Sequence, residues 1–208
     1  PSLITMPRVF EDLFAAAGER MDEHVRLRPV DPLARYFFAD GGSLEVGASL
    51  PGWLGTLRGV EPGGDIRFLG MMRLGARLYE LSSHTFFRRA PSEPPDRETF
   101  AALRHLPLRR GWGSYRKAVH GFFASPRLRH IYERFPTYVG SSPSRIPATL
   151  MLIPYLEHAF GAWHVVGGLY SIIEKLRELG EKRGVRFFTG SRGVRIGTAS
   201  RSVESVEL

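Results

Sequence analysis

Cysteine is absent from the 208-residue sequence, and this absence excludes disulfides, thiolate nucleophiles and cysteine-based zinc sites. The sequence also lacks any run of about 18 uncharged apolar residues, so we predict no segment that spans a bilayer. No secretory signal stands at the start, where Pro1 leads directly into a segment with the pattern of regular structure. We therefore expect both ends of the sequence to lie inside a longer chain.

Several motifs that carry enzyme chemistry are also missing. There is no G-x-G-x-x-G turn for a dinucleotide pyrophosphate, and the nearest piece, Gly111 to Gly113, follows no predicted strand. The sequence contains no phosphate-binding P-loop and no G-x-S-x-G nucleophile turn. The seven histidines show neither H-x-H nor H-x-x-x-H spacing, so we expect no metal site.

The charge, in contrast, is strongly one-sided. The formal net charge is +8 and the sequence pI is about 10.3, which favours an anionic partner such as a lipid surface or a nucleic acid. The basic residues are spread along the chain, and a simply solvated basic surface explains them equally well. No nucleic-acid-binding motif is recognisable, so we expect no nucleic-acid partner and keep a basic nucleic-acid-binding module as the alternative of a different class.

Apolar spacing and turn residues predict an alternation of helices and short strands. Proline at a first helical position marks helix starts at Pro7 and, after Ser125 as a capping residue, at Pro126. Asp40-Gly41-Gly42 predicts the turn of a hairpin. Further helices are predicted over 65–83, 147–160 with a kink or break at Pro154, and 169–183. Strands are predicted over 2–6, within 24–47, and over 163–166, 185–188, 194–196 and 203–208.

These elements predict an α/β (α+β) fold. Both ends of the chain, residues 1–49 and 161–208, should form a β-sheet part. A mostly helical insertion over residues 50–160 should lie beside it. The Pro/Ser/Glu-rich stretch 91–97 is the best internal break in the sequence.

Residues 132–168 combine several short motifs in one order. They run from Tyr138-Val139-Gly140 and Ser142-Pro143, through an apolar helix that contains Glu157, to Gly161-Ala162-Trp163 and the paired glycines Gly167-Gly168. This order resembles the phytoene desaturase family, the bacterial carotenoid desaturases and isomerases. The opening PSLITMPRVFEDLFAAAGE and the run RLRPVDPLARYFFADGGSLEV resemble the same family, and the resemblance is weakest over 50–110.

The resemblance implies an FAD-dependent oxidoreductase that dehydrogenates a long polyene by hydride transfer to the flavin. It assigns 1–49 and 161–208 to the β-sheet part of the substrate domain and the edge of the flavin domain, and 50–160 to substrate binding and membrane docking. The family's N-terminal FAD-binding βαβ unit and its C-terminal flavin segment are missing from this sequence. We therefore expect this piece alone to hold FAD poorly and to be inactive.

A long polyene is insoluble in water, so the resemblance also implies that it is taken from a bilayer. That task needs apolar side chains edged by arginine, which residues 50–89 offer. The predicted partner is an anionic membrane surface, and the predicted location is cytoplasmic, peripheral on the inner face of the cell membrane. The alternative is that the same apolar residues form the core under a basic face. The docking candidates are Trp53, Leu54, Arg58, Arg67, Arg73 and Arg77.

The remaining candidates concern the substrate, the flavin and the proton. Gly167 and Gly168 are the candidates for close approach to the flavin, because a missing side chain lets backbone come near a cofactor. Glu157 and His164 are the candidate catalytic bases. A related flavin oxidoreductase, or a carotenoid isomerase, acting on another apolar substrate stays open as an alternative. The candidates for an apolar substrate tunnel are Phe86, Phe87, Phe122, Phe123, Tyr138, Tyr155 and Trp163.

Overall fold

The computed structural model describes residues 3–85, 87, 92–93, 96–97, 101, 113–193, 195–199 and 202–207. This part of the chain contains helices and short antiparallel strands, which agrees with the predicted α+β class. The helices are α1 (Pro7–Ala16), α2 (Leu50–Val60), α3 (Gly64–His84), α4 (Tyr115–Phe122), α5 (Pro126–Glu133), α6 (Leu152–Phe160) and α7 (Tyr170–Lys182). The strands are β1 (Leu27–Pro29), β2 (Ala34–Phe37), β3 (Ser43–Val46), β4 (Trp163–Val165), β5 (Arg195–Ala199) and β6 (Ser202–Glu207).

The starts of α1 and α5 follow the predicted proline signals. Proline occupies the first helical positions of α1 and α5, as predicted. The Ser125 side chain, however, makes no capping hydrogen bond. The carboxylate of Glu61 binds the backbone just before the helix, where it accepts hydrogen bonds from the N–H groups of Ala124 and Ser125. A residue 64 positions earlier in the chain therefore holds the start of α5.

The predicted helix over 147–160 is divided in two. Residues Ala148–Met151 form a 3₁₀ helix, and α6 continues from Leu152. Pro154 is the third residue of α6, where a backbone N–H has no partner inside the helix, so proline is tolerated there. The break predicted at Pro154 is therefore wrong, and the helix instead changes from 3₁₀ to α geometry between Met151 and Leu152.

In the described part of the chain, the β structure consists of three antiparallel strand pairs. β2 and β3 make the predicted hairpin around Asp40 to Gly42, and β5 and β6 make a second hairpin. β1 pairs with β4, with Leu27 opposite Val165, and Ile4 adds a single bridge to Trp163. This pairing joins the two ends of the chain. The predicted strand over 185–188 is wrong, because these residues pair with no strand in the described part of the chain.

The described residues form two hydrophobic clusters. The larger lies among α2 to α6 and includes Trp53, Phe68 and Tyr132. The smaller lies between the ends of the chain and includes Phe14, Val165 and Ile172. α3 and α6 pack closely at Gly75, where an added Cβ would collide with Tyr155. No helix of the described residues has the length and apolarity needed to cross a membrane.

Candidate functional site

An arginine at the end of α5 organises a polar cluster with groups from three other segments. The Nε of Arg134 donates to the hydroxyl of Tyr36 on β2 at 2.6 Å. Its Nη1 donates to the hydroxyl of Tyr138 at 3.3 Å, and its Nη2 donates to Glu157 on α6 at 3.4 Å. The Tyr138 hydroxyl donates to the second carboxylate oxygen of Glu157 at 2.9 Å. We call these four residues the Arg134 cluster.

The cluster is held at the edge of the core. Glu157 is 9% exposed, whereas Tyr138 is 59% exposed, so one side of the cluster meets solvent. The guanidinium carbon of Arg134 also lies 4.9 Å from the ring centre of Phe135, a cation–π distance. Three hydrogen bonds and a ring face thus fix the guanidinium between β2 and α6.

The electrostatics favour fixed charge states for Arg134, Tyr36 and Tyr138. Burial by itself lowers the pKa of Arg134, but the hydrogen bond with Tyr138 and the nearby oxygens of Tyr36 and Glu157 outweigh it and raise the pKa. Burial raises the pKa of both Tyr36 and Tyr138. The tyrosines are neutral hydrogen-bonding groups at neutral pH, and Arg134 is a permanent cation facing the Glu157 carboxylate. This arrangement is suited to orienting groups and joining β2 to α6.

Two of these four residues were missed by the sequence reasoning. Arg134 lies in the stretch that carries the family resemblance and stands four positions before Tyr138, which was a weak signal. Tyr36 lies 98 positions away from Arg134, and no local pattern connects them. Tyr138 was predicted to line a tunnel and Glu157 to act as a base. The structure brings both into one cluster.

His158, next to Glu157, points into the larger hydrophobic cluster. Its ring centre lies 5.0 Å from that of Phe68 and 6.3 Å from that of Trp53, nearly parallel to the indole. Burial lowers the pKa of His158 to about 4. Glu157 and His158 point about 100° apart on α6, as neighbouring residues of a helix do. Glu157 therefore lies among polar groups and His158 among aromatic rings.

The predicted catalytic residue His164 occupies a separate place. It is exposed on β4, opposite Arg28. No hydrogen bond joins it to Glu157 among the described residues. A catalytic role for either residue stays a prediction.

The described tunnel candidates fall into two aromatic groups. Phe122, Phe123 and Tyr138 belong to a row of rings that runs through Tyr132 and Phe135, with neighbouring centres 4.9 to 6.5 Å apart. Phe122 and Phe123 are only 3% and 1% exposed, so they are core residues of this structure. A tunnel along this row stays a prediction. Phe86 lies outside the described residues.

The second aromatic group lies where α3 faces α6. Tyr155 is 5.9 Å from Tyr79 and 6.1 Å from Phe160 between ring centres, and Phe87 is 6.3 Å from Tyr79. The indole of Trp163 donates to the carbonyl of Phe160 at 2.8 Å, which attaches β4 to the same group. A substrate contact by these rings likewise stays a prediction.

The paired glycines form an open turn between β4 and α7. Gly167 and Gly168 have φ values of +89° and +97°, a conformation that favours glycine. A Cβ added at either residue would meet no atom within 4 Å. A flat cofactor ring could therefore approach this backbone. An apolar groove of about 590 Å³ begins at the next residue and is lined by Leu3, Ile4, Thr5, Phe10, Leu169, Tyr170, Ile172 and Ile173.

The docking candidates divide between core and surface. Trp53 is 1% exposed and donates from its indole to the Tyr132 hydroxyl, so the predicted insertion of this side chain into a membrane is wrong. Leu54 is half-buried and packs against the same cluster. Both residues lie on the side of α2 that packs against α3. For Trp53 the structure favours the alternative of a core residue.

The surface candidates lie on α3 and beside it. Arg58 pairs with Asp65 at 2.7 Å, and Arg67 pairs with Glu61. Arg73 and Arg77 are exposed and form no ion pair with the described residues. They share one face of α3 with two exposed apolar residues, Ile66 at 72% and Leu69 at 45%. We call Ile66, Leu69, Arg73 and Arg77 the outer stripe of α3.

The structure also brings together three side chains of types that can ligate a metal, which the sequence spacing did not predict. One ligand atom each of Glu19, Glu23 and His24 lies within 4.8 Å of the others. His24 is hydrogen-bonded to Glu19 at 3.2 Å and stacks on Phe14. These contacts attach the segment after α1 to the smaller hydrophobic cluster.

Several curated proteins are similar to this chain over most of its length, although no protein-family model matches it. It is 31% identical to a 4,4'-diapolycopene oxygenase of Methylomonas sp over 186 residues, 89% of this chain and 37% of that protein. It is 32% identical to a hydroxyneurosporene desaturase of Rhodobacter capsulatus over 100% of this chain and 42% of that protein. It is 31% identical to a zeta-carotene-forming phytoene desaturase of Myxococcus xanthus over 100% of this chain and 40% of that protein. The chain thus spans about two fifths of the length of these relatives.

Proposed function

Because the chain belongs to the carotenoid desaturase family, we propose that it is the substrate-binding and membrane-docking portion of an FAD-dependent desaturase acting on a long polyene. The similarity along the whole chain to desaturases of this kind carries the proposal. The whole enzyme would convert a carbon–carbon single bond of the polyene into a double bond. A hydride would leave one carbon for the flavin, and a proton would leave its neighbour for a base or for solvent.

Bound FAD would supply the hydride acceptor in this reaction. Within this chain, Gly167 and Gly168 fit the approach of its flat ring, because their backbone is open on the side where side chains would stand. The chain offers no glycine-rich turn for the pyrophosphate. We therefore assign it the edge of the flavin site, and the remainder of the enzyme would hold most of the cofactor.

The outer stripe of α3 supports the docking role. Ile66 and Leu69 offer apolar side chains that could enter a lipid interface, and Arg73 and Arg77 have no competing carboxylate among the described residues. Burial of one such apolar side chain contributes about 1.5–3 kcal/mol. Each basic residue near an anionic lipid surface adds about 1 kcal/mol. We propose a peripheral location on the cytoplasmic face of the cell membrane.

The Arg134 cluster would orient α6 rather than transfer a proton. Glu157 is hydrogen-bonded by Arg134 and Tyr138, so its carboxylate oxygens already have partners. Glu157→Gln in the full-length enzyme tests this proposal, since glutamine keeps an acceptor but cannot take a proton. Turnover should fall less than about tenfold if Glu157 only positions the helix. A much larger loss with an intact fold would assign it the role of base.

Vesicle binding tests the docking role. Ile66→Ser should weaken binding of the chain to anionic vesicles about tenfold, through loss of apolar burial. Ile173→Ser on α7 is a matched control, because it removes the same side chain from another exposed helix position. Equal binding by both variants would contradict docking through α3.

Flavin content and product analysis test the catalytic part. The full-length protein should purify with bound flavin and dehydrogenate phytoene, whereas this chain alone should bind little flavin. A related flavin oxidoreductase on another apolar substrate is the second candidate, favoured because one similar protein is named an oxygenase. An oxygenated or isomerised product without a new double bond would support that candidate.

A further inference from the structure

A cleft of about 460 Å³ opens between α3, α4 and the start of α5. It combines cationic side chains with the exposed apolar end of the outer stripe. The lining residues are Ile66, Arg67, Gly70, His120, Gly121, Phe122, Phe123, Ala124 and Arg129.

The acidic groups at this cleft are already compensated. Glu61 is 6% exposed, accepts hydrogen bonds from the backbone N–H groups of Ala124 and Ser125, and pairs with Arg67. Glu133 pairs with Arg116 at 3.2 Å and is hydrogen-bonded to His120 at 2.7 Å. Neither carboxylate is left to neutralise a further cation.

Arg129 is the cation that remains. Its Nε donates to the carbonyl of Phe123 at 2.7 Å, which fixes the guanidinium at the cleft. Among the described residues its two terminal nitrogens have no acceptor, and it forms no ion pair. A fixed guanidinium with a free pair of N–H groups is suited to binding two oxygens of a phosphate.

The apolar end of α3 stands at the same place. Ile66 lines the cleft and is 72% exposed, and Leu69 lies one turn further along the outer stripe at 45%. A phosphate in the cleft would therefore have apolar side chains beside it. A free inorganic anion would make no use of them, whereas a lipid would place its acyl chains over them.

We propose that this cleft binds the phosphate of an anionic lipid headgroup, with Arg129 as the donor. The inference rests on the proposed docking function and deepens it, because it turns a diffuse attraction to the membrane into a specific headgroup site. The acyl chains of the bound lipid lie toward Ile66 and Leu69, which sets the depth at which α3 docks.

Paired substitutions on and beside the cleft test the proposal. With phosphatidylglycerol vesicles, Arg129→Gln should lower the vesicle partition constant at least about tenfold, the value of a charge-assisted hydrogen-bond pair. Arg129→Lys should lose most of the same affinity, because an ammonium cannot bind two oxygens in the geometry of a guanidinium. Arg73 on the outer stripe is the matched control. Arg73→Gln should lose about fivefold and Arg73→Lys nothing, as for a charge in a diffuse field.

The outcomes separate the two levels of the proposal. Absence of binding by the unsubstituted chain to phosphatidylglycerol vesicles would refute docking itself. Binding in which Arg129→Lys equals the unsubstituted chain would refute the headgroup site and leave docking intact. Inorganic phosphate that binds the chain without lipid, as tightly as the vesicles do, would assign the cleft to a free anion. Circular dichroism of each variant checks that the fold is kept.

Discussion

Removing Arg134 should destabilise the protein far more than removing an arginine from a surface pair. Arg134→Met keeps a long, unbranched side chain at this position but removes the cation that faces the Glu157 carboxylate. The Glu157 side chain is 11% exposed and that of Arg134 is 32% exposed. Unpairing a fully buried charge costs about 3–5 kcal/mol, so for this partly exposed pair we expect about 2–3 kcal/mol.

The matched control is Arg35→Met. Arg35 pairs with Glu45 across β2 and β3, and both side chains are about half exposed, at 53% and 49%. Exposed pairs of this kind contribute about 0–1 kcal/mol because water and salt screen them. Urea unfolding of the 208-residue chain measures both values.

A double-mutant cycle identifies the cause of the loss. Glu157→Gln removes the carboxylate charge, so Arg134→Met should cost less in its presence, with a coupling of at least about 1 kcal/mol. A loss for Arg134→Met no greater than for Arg35→Met, or a coupling near zero, would refute the reasoning. The Arg134 cluster would then be a surface feature without structural effect.

Three further predictions concern acid stability and helix packing. Burial by itself raises the pKa of Glu61, but its backbone hydrogen bonds and Arg67 outweigh burial and lower the pKa from 4.5. Ionised Glu61 therefore stabilises the fold fully above about pH 4.5, and this contribution is lost as the pH falls through the lowered pKa. Glu61→Gln should abolish that part of the acid loss in urea titrations at different pH. The pKa of His158 is lowered from 6.5 to about 4, so stability should fall as pH decreases between these values, and His158→Leu should remove that slope. An NMR titration of His158 with a midpoint near 6.5 would contradict this. Gly75→Ala should lower the free energy of unfolding by about 1–3 kcal/mol, because the added Cβ collides with Tyr155. Gly55→Ala, whose Cβ meets no atom within 4 Å, should stabilise α2 by about 0.5–1 kcal/mol. Thermal unfolding of both variants measures the two effects.

Features with local signals were predicted from the sequence. Prolines at first helical positions placed the starts of α1 and α5, and the periodic apolar residues of α7 placed that helix. The Asp40-Gly41-Gly42 turn placed the β2–β3 hairpin. In each case the residues that determine the element are neighbours in the chain.

Predictions that needed a distant partner were less successful. Residues 185–188 have the composition of a strand, but a strand needs a second one to pair with, and none does so in the described part of the chain. Trp53 has the residue type of a membrane-interface side chain, yet α3 and Tyr132 enclose it. Composition alone does not distinguish an apolar residue that meets lipid from one that meets another helix.

The sequence by itself determined the starts of α1 and α5, the helices α3 and α7, the turn between β2 and β3, the basic charge and the family resemblance, because each is encoded by residue type and short-range spacing. Only the tertiary structure decided that Arg134 meets Tyr36, that Glu61 holds the start of α5, and which face of α3 stays exposed. Those outcomes depend on contacts between residues 60 to 100 positions apart, such as the 64 positions from Glu61 to Ser125 and the 98 from Tyr36 to Arg134. Such contacts form only when the packing of the whole chain brings the partners together.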